Sequence, residues 1–391
     1  MRAPCRWRFA ELTVNRTGWL WSYELSRTIF HIVTPAVDYG DAVSNDAMGM
    51  RDALRAAGFQ ADLYAEHISP SLAYEVTPIS DYAKLSCDRK GEFLIYHHST
   101  YWELGQKLYE RTRNRKILKY HNITPPQFFA SYSALFEGYA GRGRQQTKRL
   151  MEGRAELHLG DSLFNARELI EAGADPSLTQ AIAPFHHGDE LGKTEANIPE
   201  LERYLDGRIN IVFVGRFVPN KGHFNLLRTF AFFRNHFEPN SRLIMVGKLA
   251  LEFTKYGEEI RSIISDLALN GSVTTISSAS AAQLRAVYLA AHIFLCLSEH
   301  EGFCVPLVEA MYHKIPIVAL RRAAVPETLG PSALIADNAD AVMLGEMMNY
   351  CLQENLSRRR LTHVLYQRYL EHFSSQAISD RFLTYISSLL C

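Results

Sequence analysis

Short apolar runs, each closed by glycine or a polar cluster, alternate along this chain with segments of helical period. Residues 28–34 (Thr-Ile-Phe-His-Ile-Val-Thr) read as a strand and 35–42 as a loop containing Gly40. Residues 45–57 are amphipathic and stop at Gly58, as helices do. The strand signal recurs at 60–64, 92–96, 116–120 and 156–159. Asp161-Ser162 then offers an N-cap pair for a helix over 165–172. A second series starts near Arg208, with strands at Ile209–Val214 and 243–247, the segment 273–280, and a strand at 293–297. The last of these is apolar enough to be a buried parallel strand. Strands alternating with helices predict parallel sheets of βαβ units, hence an α/β protein.

The polar, acidic stretch 191–207 lacks apolar periodicity and is predicted to link a first domain over 28–190 to a second over 208–369. At 391 residues the chain is long enough for two such cores. Residues 1–27 read as a weakly ordered N-terminal extension. Forty-two basic and 42 acidic residues balance, which argues against a general nucleic-acid binder. The six cysteines are scattered without Cys-x-x-Cys spacing, so reduced thiols and a cytoplasmic setting are expected. No apolar run of membrane-spanning length occurs.

The most informative run is 301–309, Glu-Gly-Phe-Cys-Val-Pro-Leu-Val-Glu. Pro306 suits a first helical turn, so Glu301 should lie on a strand-to-helix loop and Glu309 one turn into the helix. Both carboxylates then face the crevice at the carboxyl end of the sheet, where open α/β sheets bind ligands. Hydroxyls suit the carboxylates, and a phosphate suits the helix N-terminus. This run resembles the E-x7-E motif of the retaining glycosyltransferases of family 4. Gly215-Arg216-Phe217-Val218-Pro219-Asn220-Lys221-Gly222, after a strand, is similar to that family's diphosphate-holding loop. Leu243–Gly247 and Ala323-Ala324-Val325-Pro326-Glu327 complete an ordered set over 208–337. One departure is Cys304, where the family usually has glycine.

The resemblance implies a GT-B fold, two Rossmann-like doubly wound domains facing each other across a cleft, with helices 370–391 packing back on the first. It implies a retaining, metal-independent hexosyltransferase that takes a nucleoside-diphosphate sugar as donor and needs no further cofactor. Arg216 and Lys221 would stabilise the departing diphosphate, as fixed charge placed where negative charge develops. Glu301 would contact the transferred sugar, and Glu309 would hold the ribose hydroxyls. Gly215, Gly302, Phe303, Cys304 and Val305 would line the donor pocket. No Asp-x-Asp occurs in this region, consistent with Arg, Lys and the helix dipole in place of a cation.

In the first domain, His121 follows a strand end; in similar enzymes a histidine there contacts the donor sugar. His97, His98 and Ser99 end the preceding strand and are candidates for acceptor or sugar contact. Adjacent histidines on a strand point opposite ways, which argues against both being metal ligands. Gly40 would let backbone approach the donor. No Gly-x-Gly-x-x-Gly follows a strand and no phosphate loop of the Gly-x4-Gly-Lys type occurs, which disfavours dehydrogenase and P-loop readings. Segment 111–154 mixes ten basic residues with Phe128, Phe129, Tyr132, Phe136 and Tyr139, a composition that suits peripheral contact with an anionic inner membrane leaflet. The acceptor is then expected to be a saccharide or lipid-linked saccharide in cell-surface polysaccharide synthesis. The stretch Tyr120–Pro126 is similar to bacterial O-antigen and exopolysaccharide enzymes that use GDP-mannose. The alternative is a catalytically inactive protein of the same fold that binds a sugar nucleotide.

Overall fold

The computed structural model describes residues 28–84, 91–353 and 356–390, so the expected extension at 1–27 lies outside the described residues. The first domain runs β1 (Ile29–Val37), α1 (Ala42–Ala56), β2 (Gln60–Ile68), β3 (Thr77–Pro78), α2 (Ile79–Lys84) and β4 (Phe93–His98). It continues through α3 (Glu103–Arg111), β5 (Arg115–Tyr120), α4 (Ala134–Met151), β6 (Leu157–Gly160), α5 (Leu163–Glu171) and β7 (Thr179–Ala181). After α6 (Gly188–Lys193) and α7 (Ile198–Tyr204), the second domain holds β8 (Ile209–Val214), α8 (His223–His236), β9 (Ser241–Val246), α9 (Thr254–Asp266) and β10 (Val273–Ile276). There follow α10 (Ala281–Ala290), β11 (Ile293–Cys296), α11 (Val305–Tyr312), β12 (Ile317–Leu320), α12 (Val325–Leu329), β13 (Leu334–Ala336) and α13 (Ala341–Leu352). Two helices, α14 (Leu356–His372) and α15 (Ser375–Leu390), end the described chain.

Both sheets are parallel, in the orders β3-β2-β1-β4-β5-β6-β7 and β10-β9-β8-β11-β12-β13. The order reverses between β1 and β4 and between β8 and β11. A crevice therefore opens at the carboxyl ends of those strands, the usual ligand position in such sheets. Central strands are buried on both faces, as in Phe93 to Tyr96 and Ile211 to Phe213, which is why they read as unbroken apolar runs.

Three sequence expectations are corrected. The stretch 191–207 is not an open linker: it contains the second half of α6 and all of α7, with Leu191 and Tyr204 buried. Asp189 and Glu190 just before it, and Glu200 within it, sit in first helical turns, where the dipole favours them, and helices of six and seven residues are too short to show a period. β1 extends through Pro35 to Val37, because its pairing with β4 stops at Val33 and the missing N–H of Pro35 interrupts no bond on that side. The aromatic residues of 128–136 face the second domain, not a membrane. Phe129 and Phe136 pack on Phe253 with ring centroids 5.7 and 4.9 Å apart, and Tyr132 donates to Glu259 at 2.8 Å.

Several of the basic residues nearby are also structural. Arg115 binds Glu156 and the Leu389 carbonyl, Arg144 binds Glu168 and the Ile123 carbonyl, and Lys119 is fully buried. Arg111, Arg142, Lys148, Arg149 and Arg154 remain exposed. The C-terminal helix returns to the first domain: Phe382 meets Phe185 edge-on at 5.9 Å, and Tyr385 donates to the Ala181 carbonyl. No described helix is long and apolar enough to cross a membrane.

Candidate active site

Between the domains lies a cleft of about 2490 Å³, walled on one side by the loops after β8 and β11 and on the other by those after β1, β4 and β5. Gly215, Arg216, Lys221, Glu301, Gly302, Phe303, Cys304, Val305 and Glu309 all line it. Their convergence follows from two turns. The chain leaves β8, runs through a single 3-10 turn at Pro219–Lys221, and enters α8 at Gly222, whose φ is 70°. A Cβ there would sit 2.1 Å from the Leu297 carbonyl oxygen, so only glycine lets this turn press against the end of β11. That contact brings Lys221 to Glu301, with Nζ 2.7 Å from each carboxylate oxygen.

The pair is largely enclosed: the Lys221 side chain is 17% exposed and that of Glu301 7%. Burial pulls the ammonium down, but the Glu301 carboxylate, with the Cys304 sulfur, outweighs it and leaves Lys221 above its ordinary range. Arg216 is exposed and, among the described residues, makes no ion pair. One fixed and one free cation thus stand at the same wall. Glu309 lies one turn into α11, where it accepts a 2.6 Å hydrogen bond from the Tyr288 hydroxyl. Burial raises its carboxyl above the usual range and raises the Tyr288 phenol well above its own.

The loop between β11 and α11 is anchored through its carbonyls. Glu301 O accepts from Ala324 N, Gly302 O from Ser162 Oγ at 2.7 Å, and Phe303 O from Thr328 Oγ1 at 2.8 Å. What such a helix start offers an anion is its first amides, which lack intrahelical partners. Cys304 sits there at φ 77°, a conformation that costs a non-glycine residue about 1–2 kcal/mol. The glycine usual at this position in the resembling family is explained by that backbone.

The first domain touches the same loop. Asn122, itself at φ 70°, accepts through Oδ1 from His300 Nε2 at 2.7 Å, and Gly302 lies so close that a Cβ would be 2.7 Å from that of Asn122. Glu327 reaches across to the amides of Leu163 and Phe164 at 2.6 and 3.1 Å, so its carboxylate sits at the N-terminus of α5. Neither His300 nor Glu327 stood out as a cross-domain contact in the sequence, because nothing local marks a residue whose partner is more than 160 positions away.

His121 lines the cleft, but its ring is committed. Nδ1 donates to Asp161 at 3.1 Å, and Nε2 lies 2.8 Å from Nδ1 of His97. Whichever histidine carries the proton between them, no ring nitrogen of His121 is left for a sugar. His97 is buried below it, and burial, then the His121 and Lys119 charges, hold it well below its ordinary value. His98 points the other way, to Thr147 at 2.8 Å on α4, and does not reach the cleft; Ser99 does. Gly40 lines the cleft at φ 77°, with nothing within 4 Å of a Cβ placed there, so its turn and not a close approach selects glycine.

Beneath His121, Lys119 pairs with Asp161 at 2.7 Å and lies 3.7 Å from Asp46, whose other oxygen accepts from the Phe185 amide. Asp46 and Asp161 escaped the sequence reading, one as a helix residue and one as a presumed cap; Ser162 alone makes the cap, to Asn165 N. Among the described residues, two groups have donor atoms close enough for a cation: Asp46, His97 and His121, and Cys296, Glu301 and Cys304, each set within 4.8 Å. A lysine ammonium already opposes a carboxylate in both, which lowers the charge available to a metal.

The comparisons agree with this geometry. Residues 196–367 match the family described as glycosyl transferases group 1. The chain is 32% identical over 180 residues to the MMP alpha-(1->4)-mannosyltransferase of Mycolicibacterium hassiacum, covering 44% of this chain and 42% of that one. It therefore spans less than half the length of that relative. It is 25% identical over 278 residues to O-antigen chain mannosyltransferase B of Escherichia coli, covering 68% of each. The fold matches the crystal structure of Anabaena Alr3699/HepE in complex with UDP and glucose, with a TM-score of 0.71 at 15% identity over 92% of this chain and 99% of that one. Residues 196–367 are thus similar to the glycosyl transferases group 1, in a chain that folds as a GT-B protein.

Proposed function

We propose that the protein is a retaining glycosyltransferase that moves a hexose from a nucleoside-diphosphate sugar to a hydroxyl of a saccharide or lipid-linked saccharide in cell-surface polysaccharide synthesis. The observation that carries this reading is the convergence of Arg216, Lys221, Glu301 and Glu309 on one cleft wall at the start of α11. Mannose, delivered as GDP-mannose, is the sugar favoured by the named activities of the similar mannosyltransferases. A cytoplasmic setting fits such a donor.

In this reading Glu309 holds the ribose hydroxyls, its second oxygen braced by Tyr288. The diphosphate lies between Arg216, Lys221 and the first amides of α11. As the glycosidic bond breaks, negative charge grows on the leaving phosphate, and these groups meet it without reorganising. Glu301 orients the sugar while its pairing with Lys221 balances the carboxylate's charge in a buried place. The acceptor attacks from the face the diphosphate leaves, and the departing phosphate takes the acceptor proton. Charge stabilisation comes from side chains and helix amides, so no metal is required. Closure of the two domains excludes water.

Proton NMR of the reaction with nucleotide sugar and a saccharide acceptor tests the stereochemistry. The expected product has the donor's anomeric configuration and forms equally in chelator. An inverted anomeric proton, or a rate restored only by added divalent metal, contradicts the proposal.

A further inference from the structure

Cys296 and Cys304 are free thiols at the two ends of the loop that carries Glu301. Cys296 closes β11 and is 1% exposed, whereas Cys304 begins α11, is 8% exposed and lies on the cleft wall. Their sulfurs are 4.0 Å apart, with the Cys296 sulfur also 3.8 Å from Ser298 Oγ. A disulfide needs about 2.05 Å between sulfurs, so closing the pair takes a movement of roughly 2 Å. The Cys304 contact is the main influence lowering Cys296, while the Cys296 contact and then burial push Cys304 well up. The outer sulfur, on the cleft wall, is the one a cleft-borne reagent meets.

We propose that Cys296 and Cys304 are a modification site, a peroxide-oxidisable pair whose disulfide disables the cleft. Hydrogen peroxide entering the cleft oxidises the Cys304 sulfur to a sulfenic acid; the O–O bond breaks and one water leaves. The Cys296 sulfur then attacks the Cys304 sulfur. The S–S bond forms, and the hydroxyl leaves with the Cys296 proton as a second water. Two thiols lose two hydrogens in all, and the peroxide is reduced. The new bond ties the end of β11 to the start of α11. It draws in the segment 297–303, whose residues hold Lys221, Asn122 and Ser162 in place. A ligand occupying the cleft covers Cys304 and slows the reaction. The effect on ligand binding rests on the donor-site reading above; formation of the bond does not.

The experiment treats the purified full chain with hydrogen peroxide and follows peptide masses and nucleotide-sugar binding. A crosslinked peptide joining 296 to 304 is expected, lighter by two hydrogens and reversed by dithiothreitol. Its formation slows when a nucleoside diphosphate is present. Affinity for the nucleotide sugar falls at least about tenfold on oxidation and returns on reduction. Cys296→Ala, a residue outside the cleft wall, keeps the affinity of the reduced protein and does not acquire the reversible loss. Free thiols persisting at both positions, or Cys304 passing to sulfinic acid with no crosslink, overturns the proposal. So does a crosslink that leaves affinity unchanged. Absence of binding in the reduced protein, with the crosslink formed, counts against the donor-site reading and not against the dithiol.

Discussion

Acidification is expected to destabilise the protein between pH 6.5 and about 4, starting above the range in which ordinary carboxylates protonate. Five enclosed histidines drive this: burial is the first cause holding His98 and His223 near 3 and His186, His300 and His313 near 4. In the unfolded chain each returns to about 6.5. A histidine with a depressed folded pKa favours folding fully above its unfolded value, and that advantage is lost as pH falls, because only the unfolded chain takes the proton. At pH 5 the loss is on the order of 2 kcal/mol each. Even at half that size, five such groups remove roughly 5 kcal/mol, the lower end of a whole domain's stability.

Asp46 and Glu309, raised chiefly by burial, act in the opposite sense, since their strain is relieved as they protonate. They are two against five. Asp161, lowered despite its burial by the His121 and Lys119 charges, adds a loss only below its ordinary 3.8. Urea unfolding followed by circular dichroism at pH 7.5, 6 and 5 checks this: the midpoint is expected to fall steeply across that series. A midpoint unchanged down to pH 5 contradicts the assignment of these rings as buried and neutral.

The second large effect separates two cations that a sequence motif treats alike. Lys221→Ala is expected to lose both stability and activity, whereas Arg216→Ala is expected to lose activity only. Removing Lys221 strands the Glu301 carboxylate at 7% exposure. Breaking a buried pair from one side costs about 3–5 kcal/mol, and for a domain of this size each kcal/mol lowers the melting temperature by roughly 2–4 °C. Arg216 is exposed, so truncating it should change stability by no more than about 0.5 kcal/mol. Either change removes a charge from the leaving-group site and should lower the transfer rate at least about 100-fold.

The double variant Lys221→Ala/Glu301→Ala distinguishes the ion pair from a general packing defect. Removing the stranded carboxylate should recover much of the melting temperature while the rate stays low. Wild-type rates in both single variants would remove the catalytic role of this wall. A wild-type melting temperature in Lys221→Ala would remove the buried pair.

Sequence legibility differed sharply between the two domains. In the second, each candidate residue lies soon after a buried strand, so the apolar run locates the sheet's carboxyl edge and the next few residues are the candidate site. Arg216, Lys221, Glu301 and Glu309 were readable for that reason, and all line the cleft. In the first domain, chemistry depends on partners brought from other strands. His121 is flanked by Asp161 from the loop after β6, by Asp46 from α1 and by His97 from β4, and no local spacing announces that grouping.

The same cause misplaced the aromatic stretch 128–136. Its pattern shows an apolar face, but only the fold supplies Phe253 and Tyr256 to cover it. Short helices failed for another reason. At six and seven residues, α6 and α7 carry first-turn acids, and α7 the Asn197 cap, without a period, and polar composition alone reads as a linker.

The central claim is that a nucleotide sugar binds between Arg216, Lys221 and Glu309. The most direct measurement is a thermal-shift series in chelator with GDP, UDP, ADP, CMP and dTDP sugars. A ligand at about 100 times its dissociation constant adds about 2.7 kcal/mol to the folded state. The account predicts a clear upward shift with the sugars of one base, with GDP-mannose first in line, and its loss in Glu309→Ala. No shift with any of them, or a shift that survives Glu309→Ala unchanged, would contradict it.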